Sequence, residues 1–492
     1  MSARLMWSMV GALLLTSLAG CAVNPVSGQT EMALISEEKE IELGKKNDVE
    51  VRKHYGVYND KQLQAYVDGI GQQLAKRSHR PNIKYTFTVL DSPEVNAFAL
   101  PGGYIYITRG ILAYVNSEAE LAAVIGHEIG HVTARHSVRQ YSKAAATSVG
   151  FTVASILVPE LRTDVSQQLL NVLGNAIISG YGREAELEAD RLGAEYIARD
   201  GYQPTAMIDV IGVLKNQEES ERERAKREHR EPQVYHGVFA SHPSADNRLQ
   251  QVVAQAEHLK LAGHVNGRAG RQRYLERING VVFGDPVSQG IRRNNRFYHK
   301  GLGLTLEFPQ GWQIENRPTQ LLARNAARDA LIDVRPVEYK DKKLPAPEQL
   351  VKEKLKTDVI EGGALTDSRL PSFSTIRKLR SPWGKRKTRV TALYFGGQAY
   401  LIYGTAKDEK RFAELDPVFL KTMSSLRPLN NNEIKLAEGL HIRVVHVRPG
   451  QTFSSLARQS PVTNYPELTL RLINNKFPNG TLAVGEQIKL IE

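Results

Sequence analysis

Two histidines four residues apart with a glutamate beside the first, His127-Glu128-Ile129-Gly130-His131, are the residues of this chain best placed to do chemistry. On a helix, positions i and i+4 share one face, so both imidazoles can reach one metal ion. Glu128, one position on, would stand close enough to a water at that ion to take its proton. That is the layout of a zinc hydrolase holding one Zn2+ per chain. An H-E-x-x-H string arises by accident in roughly one chain in 50 of this length, so its surroundings have to support it. They do. Ser117-Glu118-Ala119-Glu120 reads as a capping box that opens a helix, and Leu121, Ala123, Val124 and Ile125 give it an apolar face before the histidines. Gly126 and Gly130 each weaken an isolated helix by about 1 kcal/mol relative to alanine, which predicts close approach by another backbone or by substrate.

Tetrahedral catalytic zinc needs a third protein ligand and keeps its fourth position for water. The candidate is Glu186, in the run Tyr181-Gly182-Arg183-Glu184-Ala185-Glu186-Leu187-Glu188-Ala189-Asp190. Asp190, one helical turn further, is placed to hydrogen-bond the far nitrogen of a liganding histidine and fix its tautomer. Taken alone this run reads as a solvated acidic helix face. The upstream motif reverses that reading.

H-E-x-x-H followed downstream by E-x-x-A-D resembles the zinc metallopeptidase (gluzincin) family of the CAAX prenyl protease and HtpX and, in type, the periplasmic beta-barrel assembly-enhancing proteases. The stretch from Asn96 to Gly110 looks like that family's strand before the catalytic helix. Ser241-His242-Pro243 with Arg248 looks like its later H-P-x-x-x-x-R element. The similarity covers roughly residues 31 to 255. It implies that His242 approaches the metal, as a regulatory extra ligand or as a donor to the developing oxyanion, and that Arg248 positions substrate or supports His242. It also implies that Asn96, Ala97, Phe98 and Ala99 run along the cleft and pair with an extended substrate backbone. Gly182 departs from the serine that many relatives carry, which puts only local packing in question.

The first residues give an address. A short basic start and an apolar core over residues 9–18, too short for a span of about 20 residues, precede Leu18-Ala19-Gly20-Cys21. That tetrapeptide resembles the bacterial lipoprotein cleavage box and implies cleavage before Cys21 and acylation of its thiol, with stable anchoring by several chains. Ala22 follows, where aspartate would suggest inner-membrane retention, so the expected location is the periplasmic side of the outer membrane of a Gram-negative cell. Cys21 is the one cysteine of the chain, which excludes an intramolecular disulfide, a cysteine nucleophile and a thiolate metal site. The net charge of +12 would suit nucleic acid in a cytoplasmic protein. For an exported lipoprotein, anionic lipid, lipopolysaccharide and cell wall are the simpler partners, and no nucleic acid is expected.

With 492 residues and 41% hydrophobic content, the chain can bury several cores. The expected class is multidomain α+β. Residues 1–20 read as signal peptide, 21–30 as a lipidated linker, and 31–262 as a mainly helical zinc metallopeptidase domain with a small sheet. Helical patterning runs over 37–54 and 61–76, and short strands alternate over 85–89 and 104–108. The apolar stretch 144–158 and the amphipathic stretch 167–179 read as buried helices or as a hairpin that covers the cleft or touches lipid. The mixed-charge run 218–231 reads as a solvated helix or loop.

Residues 263–296, with their glycines and the basic stretch 292–296, read as linker. Residues 297–430 read as an α+β sandwich, with a hairpin around Gly396-Gly397 and a Phe308-Pro309-Gln310-Gly311-Trp312 string similar to PsbP-like domains. The basic run 377–389 reads as a solvated loop. Residues 438–492 resemble a LysM glycan-binding module in which Gln451 replaces the usual aspartate of the turn. A peptidoglycan anchor and a degenerate module docked on the protease are equal readings of it.

The resulting expectation is an envelope-anchored zinc endopeptidase acting on unfolded or misassembled envelope proteins. The competing class is a chaperone or wall-tethering lipoprotein with a latent metal site.

Overall fold

The computed structural model describes residues 21–147, 181–228, 232, 267–317, 320–339, 344–357 and 360–492. The signal segment, His242, Arg248, stretch 167–179 and most of stretch 144–158 lie outside the described residues. The chain divides into two compact units, one formed by the residues up to Val281 together with His441–Glu492 and the other by Val282–Leu440. Each unit mixes helices with sheet.

The first unit begins with the paired short strands β1 (Cys21–Val23) and β2 (Thr30–Met32). Helix α1 (Glu37–Tyr55) starts where Ser36 accepts a hydrogen bond from the amide of Lys39, and α2 (Lys61–Lys76) where Asp60 accepts from Gln62 and Leu63. Those side chains satisfy amides that an unfinished first turn leaves open. A small sheet follows, ordered β3 (Thr86–Leu90), β5 (Tyr104–Thr108), β4 (Ala97–Leu100), with β3 parallel and β4 antiparallel to the central strand. Then come α3 (Arg109–Tyr114), α4 (Glu118–Thr133), α5 (His136–Thr147), α6 (Arg183–Arg199), α7 (Ala206–Arg227) and α8 (Arg271–Ile278). Within the stretch expected as linker, α8 is thus a structured part of this unit.

Helix α4 is buried along its whole length. Its apolar residues Leu121, Ala122, Ile125 and Ile129 are sealed from solvent together with Leu63 and Val67 of α2 and Leu192 and Ile197 of α6. Each such leucine, isoleucine or valine contributes about 1.5–3 kcal/mol. The approach predicted from its glycines is made by α6. A Cβ on Gly126 would lie 3.1 Å from the carbonyl oxygen of Gly193, and one on Gly130 would lie 2.9 Å from that of Ala189. The two backbones therefore cross with almost nothing between them, which brings residues 186–190 against the histidines.

The second unit carries an antiparallel four-stranded sheet that includes β6 (Ile291–Arg293), β7 (Arg296–His299) and β8 (Leu304–Glu307). Its larger sheet has β9 (Gln313–Arg317), β10 (Gln320–Arg324), β11 (Ala330–Val337), β12 (Ser372–Ser381), β13 (Gly384–Phe395) and β14 (Gln398–Ala406), in the order β9-β10-β11-β14-β13-β12. Helix α9 (Pro347–Leu355) precedes β12, and α10 (Glu409–Ser424) follows β14. Alternation along β14 divides two cores. Tyr400 and Ile402 pack with Phe412 and Phe419 of α10, and Ala399 and Leu401 with Leu350 and Val351 of α9. The basic run expected as a loop is a ribbon, because β12 and β13 stay paired from Ser372↔Leu393 out to Ser381↔Gly384.

The chain then returns to the first unit through β15 (Leu440–His446), α11 (Phe453–Ala457), α12 (Pro466–Ile473) and β16 (Gln487–Ile491), with β15 and β16 antiparallel. Lys489 of β16 is fully buried, its Nζ donating to the carbonyl oxygens of Ala113 at 2.7 Å and Val115 at 2.8 Å. Among the described residues, no helix is long and apolar enough to cross a membrane.

Candidate metal centre

Helix α4 opens at Ser117, whose hydroxyl accepts from the amide of Glu120 at 3.1 Å. The reciprocal arm of the cap is displaced by one residue, since Glu120 accepts from the amide of Asn116 at 2.8 Å. From this start His127 and His131 fall on the face turned to α6, where Glu186 is fully buried. Nε2 of His127 and Nε2 of His131 lie 3.0 Å apart. Carboxylate oxygens of Glu186 lie 3.5 Å from the first and 3.6 Å from the second. Ligand atoms about 2.0–2.1 Å from one tetrahedral ion are roughly 3.3 Å from each other, so the spacing suits such an ion.

The tautomers suit it as well. Nδ1 of His127 lies 2.9 Å from Oδ1 of the buried Asp190. A carboxylate only accepts, so the proton sits on Nδ1 and leaves Nε2 as a lone pair. Nδ1 of His131 lies 2.8 Å from Nδ1 of His136, whose Nε2 lies 3.1 Å from Oε2 of Glu188. With His136 donating to Glu188, its Nδ1 accepts from His131, and the Nε2 of His131 is again a lone pair. Burial lowers the pKa of His136, which favours this neutral, relaying form. The hydrogen bond from His136 comes first among the causes that hold Glu188 down to about 2, with Arg139 at 2.8 Å adding to it. Two imidazole lone pairs and a carboxylate converging in a buried space form a donor set that a divalent cation completes.

His136 and Glu188 carry no motif and were not singled out in the sequence. His136 returns to the site because the chain turns at Arg135, which takes φ +53° between α4 and α5 and is held by Glu40 at 2.9 Å and by the carbonyl of Ile35 at 3.0 Å. Replacing His136 with alanine is expected to weaken metal retention about 10- to 100-fold, read by competition with a chromogenic chelator. Unchanged retention would mean that the relay does not orient His131.

Tyr181 is a further residue whose place only the fold discloses. Its ring stacks on His131 with centroids 4.3 Å apart, and its hydroxyl lies 2.8 Å from Oγ of Ser137. Burial raises its pKa, and the negative charges of Glu128 and Glu186 push the same way, which places both carboxylates near it. Glu128 itself is buried in α4. Gly182, next in sequence, takes φ +89°, a conformation open to glycine and strained for serine.

Ala97, Phe98 and Ala99 lie along β4, with Asn96 just before it, and this strand of the small sheet has β5 on one side and no strand among the described residues on the other. The Thr108 amide donates to the Asn96 carbonyl at 3.1 Å. In the alternation of an antiparallel ladder, Phe98 and Leu100 then turn their backbone groups toward β5, and Ala97 and Ala99 turn theirs away. The Tyr181 hydroxyl stands 3.4 Å from the outward carbonyl of Ala99, so the open edge of β4 borders the histidine site.

Comparison with known proteins agrees with this geometry. Residues 61–256 match the model of peptidase family M48. The chain is 28% identical over 244 residues to the beta-barrel assembly-enhancing protease of Escherichia coli K12, covering 48% of this chain and 47% of that one. It is 29% identical over 209 residues to the mitochondrial metalloendopeptidase OMA1 of Arabidopsis thaliana, covering 42% of this chain and 40% of that one. The chain therefore spans about half the length of the curated relatives it matches. Among solved structures, the solution structure of cyanobacterial PsbP from Synechocystis matches 28% of this chain and 96% of its own, at 13% identity and a TM-score of 0.22. The helix that holds His127 and His131, the crossing helix that holds Glu186 and Asp190, and the strand edge beside them all lie in the matched span, so residues 61–256 form a domain similar to peptidase family M48.

Proposed function

We propose that this chain is a zinc-dependent endopeptidase of the bacterial envelope that degrades unfolded or misassembled envelope proteins. The observation that carries the proposal is the buried convergence of His127, His131 and Glu186, with each imidazole's far nitrogen tied to a buried partner. Zinc held there supplies a Lewis acid that polarises the scissile carbonyl and acidifies water. Asp190 and the His136–Glu188 pair hold the two imidazoles in register. Glu128 takes the proton of the attacking water and returns it to the leaving amine. The outward backbone groups of Ala97 and Ala99 pair with an extended substrate segment, which favours chains that have lost their fold. His242 and Arg248 are assigned to the same chemistry by the H-P-x-x-x-x-R pattern, His242 as a metal-directed or oxyanion-directed group and Arg248 to position substrate or support His242.

Lipid on Cys21 anchors the protein at the periplasmic side of the outer membrane, as the Leu18-Ala19-Gly20-Cys21 string supports. The homology to a beta-barrel assembly-enhancing protease supports proteins of that assembly route as substrates. Residues 440–492 are assigned a contact with peptidoglycan on the strength of their LysM-like pattern alone.

The chain beginning at Ala22 is expected to cleave an unfolded test protein, to stop when zinc is chelated and to resume when zinc is returned. Stoichiometric zinc with the test protein left intact at every concentration would sink the peptidase reading.

A further inference from the structure

The ribbon of β12 and β13 concentrates charge that the metal centre does not use. From Ser368 to Lys407 the sequence contains no aspartate or glutamate. Within the ribbon, Lys378 lies directly opposite Lys387, and Arg380 directly opposite Lys385. Residues two apart on a strand share a face, so these four cations form a single patch. Like charges directly opposite each other destabilise a strand pair, so the arrangement works against the ribbon's own stability.

The ribbon also projects. Strand β13 pairs with β14 only from Thr388 onward, so residues 384–387 have β12 as their one ladder partner, while side-chain bonds tie Arg386 to Lys407 and Lys387 to Thr405 and leave the turn itself beyond the sheet. Lys378, Arg380 and Lys385 are exposed. Glu409, 3.5 Å from Lys378 and 3.4 Å from Lys387, is shared between those two lysines and offsets at most one of their charges. No ion pair to Arg380 or Lys385 is made among the described residues. At the tip, the turn between β12 and β13 presents Pro382 and the half-buried Trp383, and the ribbon carries the exposed Ile376.

We propose that this ribbon docks on an anionic lipid surface. The patch is a flat strand face rather than a pocket, so it suits an extended sheet of headgroup phosphates, with no enclosure for a small anion. A tryptophan at the projecting turn is the side chain most at home between headgroups and acyl chains. Each lysine or arginine brought within a Debye length of such a surface adds attraction that salt weakens. The inference concerns the unit formed by Val282–Leu440 and stands apart from acylation of Cys21 and from the peptidase reading.

The test uses the chain beginning at Ala22, so that no acyl group contributes. It is mixed with vesicles of phosphatidylcholine alone or with phosphatidylglycerol added, and the bound fraction is sedimented. Binding is expected on the anionic vesicles only and should disappear at about 0.5 M salt. Arg380→Glu should lower vesicle affinity at least about tenfold. That substitution places a carboxylate opposite Lys385 and removes a repulsion, so the thermal midpoint should hold or rise. Arg380→Gln combined with Lys385→Gln provides a second, uncharged variant with the same expected loss. Undiminished binding by either folded variant, equal binding to neutral vesicles, or capture by soluble polyphosphate with none by vesicles would each overturn the proposal.

Discussion

Glu128→Gln is expected to reduce peptide hydrolysis by about a thousandfold while leaving the fold and the metal in place. The substitution keeps the shape of the side chain and removes its ability to accept a proton. Glu128 is outside the group of His127, His131 and Glu186 whose ligand atoms lie within 4.8 Å of one another, so metal affinity should not follow its loss. It is also buried within a helix buried along its whole length, so an isosteric change is the one replacement that tests proton transfer without opening a cavity. Three readings separate the possibilities: the turnover of an unfolded test protein, zinc retention against a chelator, and the thermal midpoint. Loss of turnover alone assigns Glu128 as the base. Loss of zinc as well would make it part of the metal's support, and full turnover would exclude it from the chemistry. The third pattern would also leave the proposed mechanism without its proton acceptor.

The convergence of His127, His131 and Glu186 could be read from the sequence because each part obeys a local rule. Helical spacing puts the histidines on one face, and the same spacing pairs Glu186 with Asp190. The two glycines of α4 announced a close neighbour, and α6 is that neighbour. Helix boundaries were legible where a cap was spelled out, as at Ser117 before Glu118–Thr133. His136 was not legible, since its place depends on a single residue, Arg135, entering the left-handed region under the hold of Glu40. Glu188 looked like any solvated acid on a helix, and its partner is far away in sequence. The ribbon of β12 and β13 was missed for a different reason. A run of lysine and arginine opposes pairing by its charge, and only the register observed places the cations against one another. Charge patterning described the surface correctly and gave the wrong local structure.

Lys489→Ala is expected to cost about 3–5 kcal/mol, enough to unfold a domain of ordinary stability. Along its strand, Ile488-Lys489-Leu490 reads as alternation with the lysine facing water. The structure instead seals Lys489 completely, with Nζ bonded to two carbonyls at the end of α3. Helix ends leave such carbonyls open, and a buried cation is an effective partner for them. Burial pulls the pKa of Lys489 well below its usual value while the nearby carboxylate of Glu120 opposes the shift. Glu120 in turn is pushed up by its own burial, with the amide of Asn116 and the charge of Lys489 acting against that. Removing the ammonium therefore strands two carbonyls, each at about 1–3 kcal/mol, and takes away a charge that favours the Glu120 carboxylate, which keeps its bonds from Asn116 and Ser117. Lys489→Met would fill the same space without the charge, so the difference between it and alanine separates lost hydrogen bonds from lost packing. Urea unfolding of the chain beginning at Ala22 measures both. A large loss shared by the two variants would mean that residues 441–492 are a structural part of the body formed by the residues up to Val281, fixing the turn that leads into the helix of His127, and that a chain cut at Val281 would not hold its fold. An alanine variant as stable as the native chain would mean that the segment rests on that body without supporting it.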